Sequence, residues 1–133
     1  MSIQYHPETG TILICDFSGF VPPEMVKRRP VIVVSPRFRE REKLCTVVPL
    51  STTAPNKIAP YHFQLYLNPP LPPPYDSGIH WVKADMLYTV SFTRLYMPFF
   101  GKDASGRRQY DIRVVEPYDL TKIKEWVRYG LGL

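Results

Sequence analysis

The stretch that decides the fold is Lys27-Arg28-Arg29-Pro30-Val31-Ile32-Val33-Val34-Ser35-Pro36. Residues 31–34 are all β-branched, which favours an extended strand because branched side chains pack well on a pleated surface. A run that is apolar at every position is typical of a strand buried on both faces of a sheet. The stretch therefore predicts a central strand with basic side chains at its entrance.

Short apolar runs separated by turn residues continue on both sides of this strand. One run precedes it at 11–17, and four follow at 45–50, 61–67, 79–86 and 89–96. The last segment instead has helical period, with Asp119 as the expected N-cap, an apolar face through Ile123, and an end at Gly130. Six short strands and one helix predict a mainly β (α+β) fold, a small barrel with a C-terminal α-helix.

The composition is that of a basic globular protein. The 133 residues suit one domain, residues 1–133, and the net charge of +5 favours a polyanionic partner, although charge also serves solubility. Cys15 and Cys45 lie in apolar runs, as free thiols do in a reducing compartment. Because the start of the chain is polar and no apolar run approaches the ~20 residues of a membrane span, we expect a cytoplasmic protein without a membrane partner.

No metal or cofactor site is indicated. His6, His62 and His80 are widely separated and have no ligand spacing with the cysteines. There is no Gly-rich phosphate loop and no nucleophile elbow. An enzyme built on this chain would work with acid, base and hydrogen-bonding groups alone.

Three polar clusters stand at the ends of apolar strands. The first is the loop 24–29, the second is the run of three hydroxyl-bearing residues at 51–53, and the third is Lys83 with Asp85. Two residues apart on a strand, Lys83 and Asp85 are expected on the same face, near Trp81. Each cluster also has a plain interpretation as a solvated loop or strand end.

Taken together and in order, these segments resemble the PemK/MazF family of toxins from toxin–antitoxin systems. The matching stretches are Gly10-Thr11-Ile12-Leu13-Ile14-Cys15-Asp16-Phe17, then 27–36, then Val47-Val48-Pro49-Leu50-Ser51-Thr52-Thr53. The resemblance implies an SH3-like barrel of the CcdB/MazF type, a homodimer, and metal-independent cleavage of single-stranded RNA at short motifs. It also implies a cognate antitoxin whose acidic, partly disordered tail blocks the RNA groove.

The resemblance assigns roles to individual residues. It places the family's catalytic Arg at Arg29, its loop acid at Glu24, and its catalytic Thr at Ser51, where the hydroxyl is kept and the methyl is lost. An Arg and Asp two residues apart in the plasmid-type branch fall on Lys83 and Asp85. The remaining residues expected to contact RNA are Lys27, Arg28, Thr52, Thr53, Tyr61 and Trp81.

The implied reaction is attack of the RNA 2′-hydroxyl on the neighbouring phosphate. Arg29 can donate two parallel N–H bonds to phosphate oxygens, and Ser51 can add a hydroxyl donor. Either Asp85 or Glu24 would accept the 2′-hydroxyl proton, and Asp85 is preferred because a strand holds a carboxylate more firmly than a loop. Lys83 would be the acid or would only stabilise charge.

Two other hypotheses stay open. The barrel class includes a toxin that poisons DNA gyrase, so the chain could bind a protein target without catalysis, although the loop with Glu24 and Arg29 favours the ribonuclease. A degenerate member would bind RNA or an antitoxin only.

Overall fold

The computed structural model describes residues 1–38 and 41–133. In chain order, that part of the protein forms nine β-strands and one α-helix: β1 Ile12–Asp16, β2 Arg28–Val33, β3 Leu44–Ser51, β4 His62–Tyr66, β5 Ile79–Lys83, β6 Tyr88–Ser91, β7 Leu95–Tyr96, β8 Phe99–Lys102, β9 Arg108–Tyr110 and α1 Pro117–Gly130. The predicted mainly β fold with a C-terminal helix is confirmed.

Seven strands form one antiparallel sheet. Its order is β4-β5-β3-β2-β1-β7, and β6 pairs with the first half of β3 while β5 pairs with its end. Within the described residues this path does not close on itself, so the barrel is open between β4 and β7. The long strand β3 therefore contacts three neighbours, and the sheet bends along it.

The sheet buries an apolar core on each face. The first core contains Cys15, Val31, Val33 and Val47. The second lies on the other face, beneath α1, and is built from Ile12, Ile32, Val48, Leu50, Leu65, Val82 and the helix residue Ile123. Both cores draw on β1 and β2, whose apolar positions are nearly all buried, as a strand covered on both faces requires.

Several predicted boundaries were wrong. The strand expected at 89–96 is interrupted by a 3-10 turn, Phe92–Arg94, because the Ser91 hydroxyl accepts the Thr93 backbone N–H and caps that turn. The helix begins at Pro117, so Asp119 lies inside its first turn and is not the N-cap. Proline suits the first helical position, since its missing N–H has no partner there in any case.

The hairpin of β8 and β9 was not predicted. Its turn is held by the Asp103 carboxylate, which accepts the backbone N–H groups of Ser105 and Arg107 at 2.9 Å each. The pKa of Asp103 lies below its usual value, because the carboxylate accepts hydrogen bonds from the Ser105 side chain and from the backbone N–H groups of Arg107 and Ser105. The hairpin is exposed along most of its length and forms a small second sheet beside the first.

Candidate functional site

A row of side chains crosses four strands at one end of the sheet. Ser51, the last residue of β3, pairs with Trp81 of β5, and Trp81 pairs in turn with Gln64 of β4. The β2–β3 pairing ends at Val31 and Pro49, and Arg29 and Ser51 each lie two residues beyond it, so both side chains project to the same face of the sheet. Directly opposed residues share a sheet face, with Cβ atoms about 4.5–5.5 Å apart. We call Arg29, Ser51, Trp81 and Gln64 the polar row.

Arg29 keeps a donor without a partner in the described part of the chain, and the Ser51 hydroxyl has only a long hydrogen bond to exchange for one with a ligand. Arg29 is half-buried, and its Nε is buried with no acceptor among the described residues. Buried donors in native proteins nearly always have a partner, so this N–H needs an acceptor, which a bound water or a ligand atom can supply. Ser51 is 5% exposed and its Oγ accepts the Thr53 N–H at 3.2 Å, which leaves its own proton only the Thr53 carbonyl at 3.5 Å.

A second pair lies next to the polar row. Lys83 of β5 is opposite His62 of β4, on the same face as Trp81. His62 Nδ1 accepts the Ala59 backbone N–H at 3.0 Å, so the neutral ring carries its proton on Nε2 and presents a donor. Sequence reasoning missed His62 as a site residue. The alternation along β4 put it on a polar face, but only its pairing with Lys83 brings it to the site.

The expectation that Lys83 and Asp85 share a strand was wrong. β5 ends at Lys83, and Asp85 is exposed in the turn that follows. Residues 84–87 connect β5, which pairs with the end of β3, to β6, which pairs with the beginning of β3. They therefore loop out of the sheet. This turn packs on the end of α1, where a Cβ on Gly130 would lie 3.3 Å from Asp85 Cα. The Asp85 carboxylate is therefore not held by a strand, contrary to the expectation.

Glu24 lies on a loop, 18–27, that covers the first core. Met25 is buried in that core, and its backbone N–H donates to the Tyr88 hydroxyl at 3.0 Å. The Glu24 carboxylate accepts the Val21 N–H at 2.9 Å within the same loop. The loop is thus fixed by its own contacts, and it carries Glu24 on the sheet face of the polar row.

Four of the other residues predicted to contact RNA lie around the polar row, and Arg28 lies away from it. Lys27, Thr52 and Thr53 are exposed beside the ends of β2 and β3, and Tyr61 is half-buried just before β4. Arg28 points to the opposite face of β2 from Arg29, as adjacent strand residues do. It belongs to a different surface, described below.

The described part of the chain gives two further findings. Across residues 1–38 and 41–133, no three His, Cys, Asp or Glu side chains lie close enough together to hold a metal ion. In the same ranges, no helix has the length and apolar character needed to cross a bilayer.

Comparison with known proteins places the chain in one family. Residues 8–127 match the family described as the PemK-like, MazF-like toxin of type II toxin-antitoxin system. The Escherichia coli (strain K12) protein YifN is 32% identical, over 71% of this chain and 75% of its own length. A Haemophilus influenzae protein is 31% identical, over 72% of this chain and 74% of its own length.

Solved structures share the fold at lower identity. MazF from Deinococcus radiodurans superposes with a TM-score of 0.67 at 22% identity, covering 98% of this chain and 100% of that one. An endoribonuclease from a mycobacterial species, solved in complex with its cognate antitoxin, superposes with a TM-score of 0.63 at 23% identity, covering 96% of both chains. The architecture is therefore that of MazF.

Proposed function

Because this chain belongs to the PemK-like and MazF-like toxin family of type II toxin–antitoxin systems, we propose that it is an endoribonuclease that cuts single-stranded RNA without a metal ion. The observation that carries the proposal is the polar row, in which Arg29 and Ser51 project to one face from neighbouring ends of β2 and β3. Arg29 has a donor without a partner among the described residues, and the Ser51 hydroxyl donates only over 3.5 Å. Such donors fit a phosphate group, since a guanidinium and a hydroxyl both hydrogen-bond its oxygens.

The proposed reaction is an internal transesterification of RNA. The 2′-oxygen forms a bond to phosphorus as its proton passes to a carboxylate, and the bond from phosphorus to the 5′-oxygen breaks as that oxygen receives a proton. The products are a 2′,3′-cyclic phosphate and a 5′-hydroxyl. Arg29 and Ser51 stabilise the charge that grows on the phosphate oxygens, and Lys83, next to the row, supplies the leaving-group proton or further positive charge.

Glu24 is the better candidate for the base than Asp85. The loop with Glu24 packs on the face of the polar row, whereas Asp85 lies in a turn against the end of α1. Loss of a general base lowers a rate by roughly 10²–10⁴-fold. We expect a loss of that size for Glu24→Gln in single-turnover cleavage and a much smaller loss for Asp85→Asn. The reverse order would assign the base to Asp85.

The partners follow from the same surface. A basic chain with net charge +5 fits RNA and fits an acidic antitoxin tail that competes for the same groove. One solved relative in fold carries its cognate antitoxin. We propose a homodimer that acts in the cytoplasm, in keeping with the two free, buried thiols of Cys15 and Cys45. Light scattering at micromolar concentration measures the dimer.

The decisive experiment is cleavage of a long mixed-sequence RNA in EDTA, with the ends mapped chemically. Arg29→Ala removes the phosphate clamp and should lower the rate roughly 10²–10³-fold. Arg107→Ala is the matched control, because Arg107 is an exposed arginine away from the row. The wild type should leave 5′-hydroxyl ends, and a 2′-deoxy residue at the cut site should abolish cleavage.

Three outcomes would end the proposal. They are intact RNA with the wild type, cleavage that requires a divalent ion, and equal losses for Arg29→Ala and Arg107→Ala. Intact RNA together with recovery of DNA gyrase in a pull-down would support the alternative of a non-catalytic toxin.

A further inference from the structure

A cavity lies on the face of the sheet away from the polar row. Its volume is about 420 Å³, within the ~300–1,000 Å³ of ordinary ligand sites. It opens between the Pro-rich loop 68–76, the β8–β9 hairpin and the entrance of β2. The side chains that matter in its wall are Arg28, Tyr75, Tyr96, Phe99, Arg108 and Tyr110. We call it the Pro-loop pocket.

Each of the two arginines in the pocket wall stands over an aromatic ring. The guanidinium of Arg28 stands 4.9 Å from the ring centre of Tyr96, and that of Arg108 stands 4.9 Å from the ring centre of Phe99. Tyr110 contacts Phe99 with ring centres 5.7 Å apart. Unpaired bases of RNA stack on aromatic rings and on guanidinium planes, and each stacked base contributes about 1–3 kcal/mol.

The charge of the pocket is uneven. Arg28 lies 3.6 Å from the Asp16 carboxylate, so its charge is partly compensated. Arg108 has no carboxylate within ion-pair distance among the described residues. Arg108 is therefore the side chain free to hold a phosphate while the rings hold a base.

The pocket adjoins the polar row through β2. Arg28 and Arg29 are consecutive at the start of that strand, with Cα atoms about 3.8 Å apart. Burial raises the pKa of the Tyr75 hydroxyl, and the positive charges of Arg28 and Arg29 both oppose that rise. Tyr75, in the wall of the pocket, thus lies within electrostatic range of both arginines.

The wall of the pocket is held in place without a ligand. Arg113 donates to the carbonyl oxygens of Pro69 and Pro70 at the base of the Pro-rich loop. Its guanidinium also makes a paired contact with Asp111, with Nη2 2.6 Å from Oδ2 and Nε 3.2 Å from Oδ1. A preformed wall loses little entropy when a ligand enters.

We propose that the Pro-loop pocket binds a nucleobase of an RNA strand that passes around the entrance of β2 from the phosphate held at Arg29, and so sets which base is accepted there. The inference rests on the proposed function. An acidic peptide is the less suitable occupant, since the wall offers several aromatic rings to contact a base but only one arginine without a carboxylate partner among the described residues.

Binding and cleavage are measured separately. The binding probes are 2′-O-methyl octamers of A, C and U, which cannot be cut, and an abasic octamer with the same phosphates. Wild type should bind at least one base-carrying octamer about tenfold more tightly than the abasic one, as a single stacked base allows. Tyr110→Ala and Arg108→Ala should remove most of that difference, while the neighbouring Arg107→Ala should keep it.

The cleavage map gives the second measurement. Tyr110→Ala and Arg108→Ala should broaden the base accepted at one fixed position near the cut, and Arg107→Ala should leave the map unchanged. If wild type cuts no RNA but still prefers base-carrying octamers, the proposed function fails and the pocket assignment stands. Equal binding of abasic and base-carrying octamers would overturn the assignment. The same holds if Arg108→Ala and Arg107→Ala have equal effects on octamer binding, or if the pocket variants lose only binding of the antitoxin tail.

Discussion

The ion pair between Asp111 and Arg113 fixes the Pro-rich loop, and it should contribute far more to the free energy of unfolding than an exposed ion pair. Asp111 is 6% exposed and Arg113 is 17% exposed by side chain, with their closest contact at 2.6 Å. Arg113→Met would leave a buried carboxylate unpaired and release two loop carbonyls. Breaking a buried pair from one side costs about 3–5 kcal/mol, and the remaining exposure of Arg113 places the loss at about 3 kcal/mol.

The assay is urea unfolding followed by circular dichroism, with thermal unfolding as a second measurement. A loss of about 3 kcal/mol should lower Tm by roughly 10 °C in a chain of this size. The matched control is Lys122→Met, which breaks an exposed i,i+3 pair with Glu125 and should cost less than about 0.5 kcal/mol.

The double variant Asp111→Asn/Arg113→Met tests the physical cause. Most of the loss comes from leaving a charge buried alone, so removing the charge as well should recover at least about 1 kcal/mol relative to Arg113→Met. A single variant as stable as the Lys122→Met control would refute the reasoning. So would a double variant that is less stable than Arg113→Met alone.

Three further predictions concern the cores. Burial lowers the pKa of His80, so the folded protein resists protonation of this side chain. The free energy of unfolding should be at its full value above about pH 6.5 and should fall by up to about 1.4 kcal/mol per pH unit below it. Urea titrations of His80→Leu should lack this slope. Ile123→Ala should cost about 2–5 kcal/mol by denaturant midpoint, since Ile123 is fully buried between α1 and the sheet, while exposed Lys124→Ala should cost less than about 0.5 kcal/mol. Burial raises the pKa of Cys15 to about 12, so a thiol reagent at pH 8 should label it only as fast as the protein unfolds; rapid labelling of native protein would contradict its placement.

Local sequence was enough to predict most of the fold. The β-branched run 31–34 predicts a strand buried on both faces, and Val31, Ile32 and Val33 are fully buried in β2. The helical period after Pro117 predicts α1 and its buried residue Ile123. Both succeed because burial of an apolar face dominates the energy of a strand or helix, and its period is written in consecutive residues.

The candidate site was only partly predictable, because it depends on which strands pair and not on the period within one segment. The family resemblance named Arg29 and Ser51, and the β2–β3 pairing places both on one face of the sheet. The spacing of Lys83 and Asp85 suggested a shared face, but β3 exchanges β5 for β6 at that point and the chain between loops out. His62 was unmarked because nothing within β4 reveals that Lys83 stands opposite it.

By itself, the sequence determined most of the segments that become strands or helix, the excess of positive charge, and which polar residues follow the apolar runs. Only the tertiary structure decided which of those residues share a face, that Asp85 turns toward α1, and that the Pro-rich loop and the β8–β9 hairpin enclose a pocket beside Arg28. The reason is physical. Periodicity within a segment is a local property, whereas register, bulges and enclosed space arise when segments distant in the chain pair and pack.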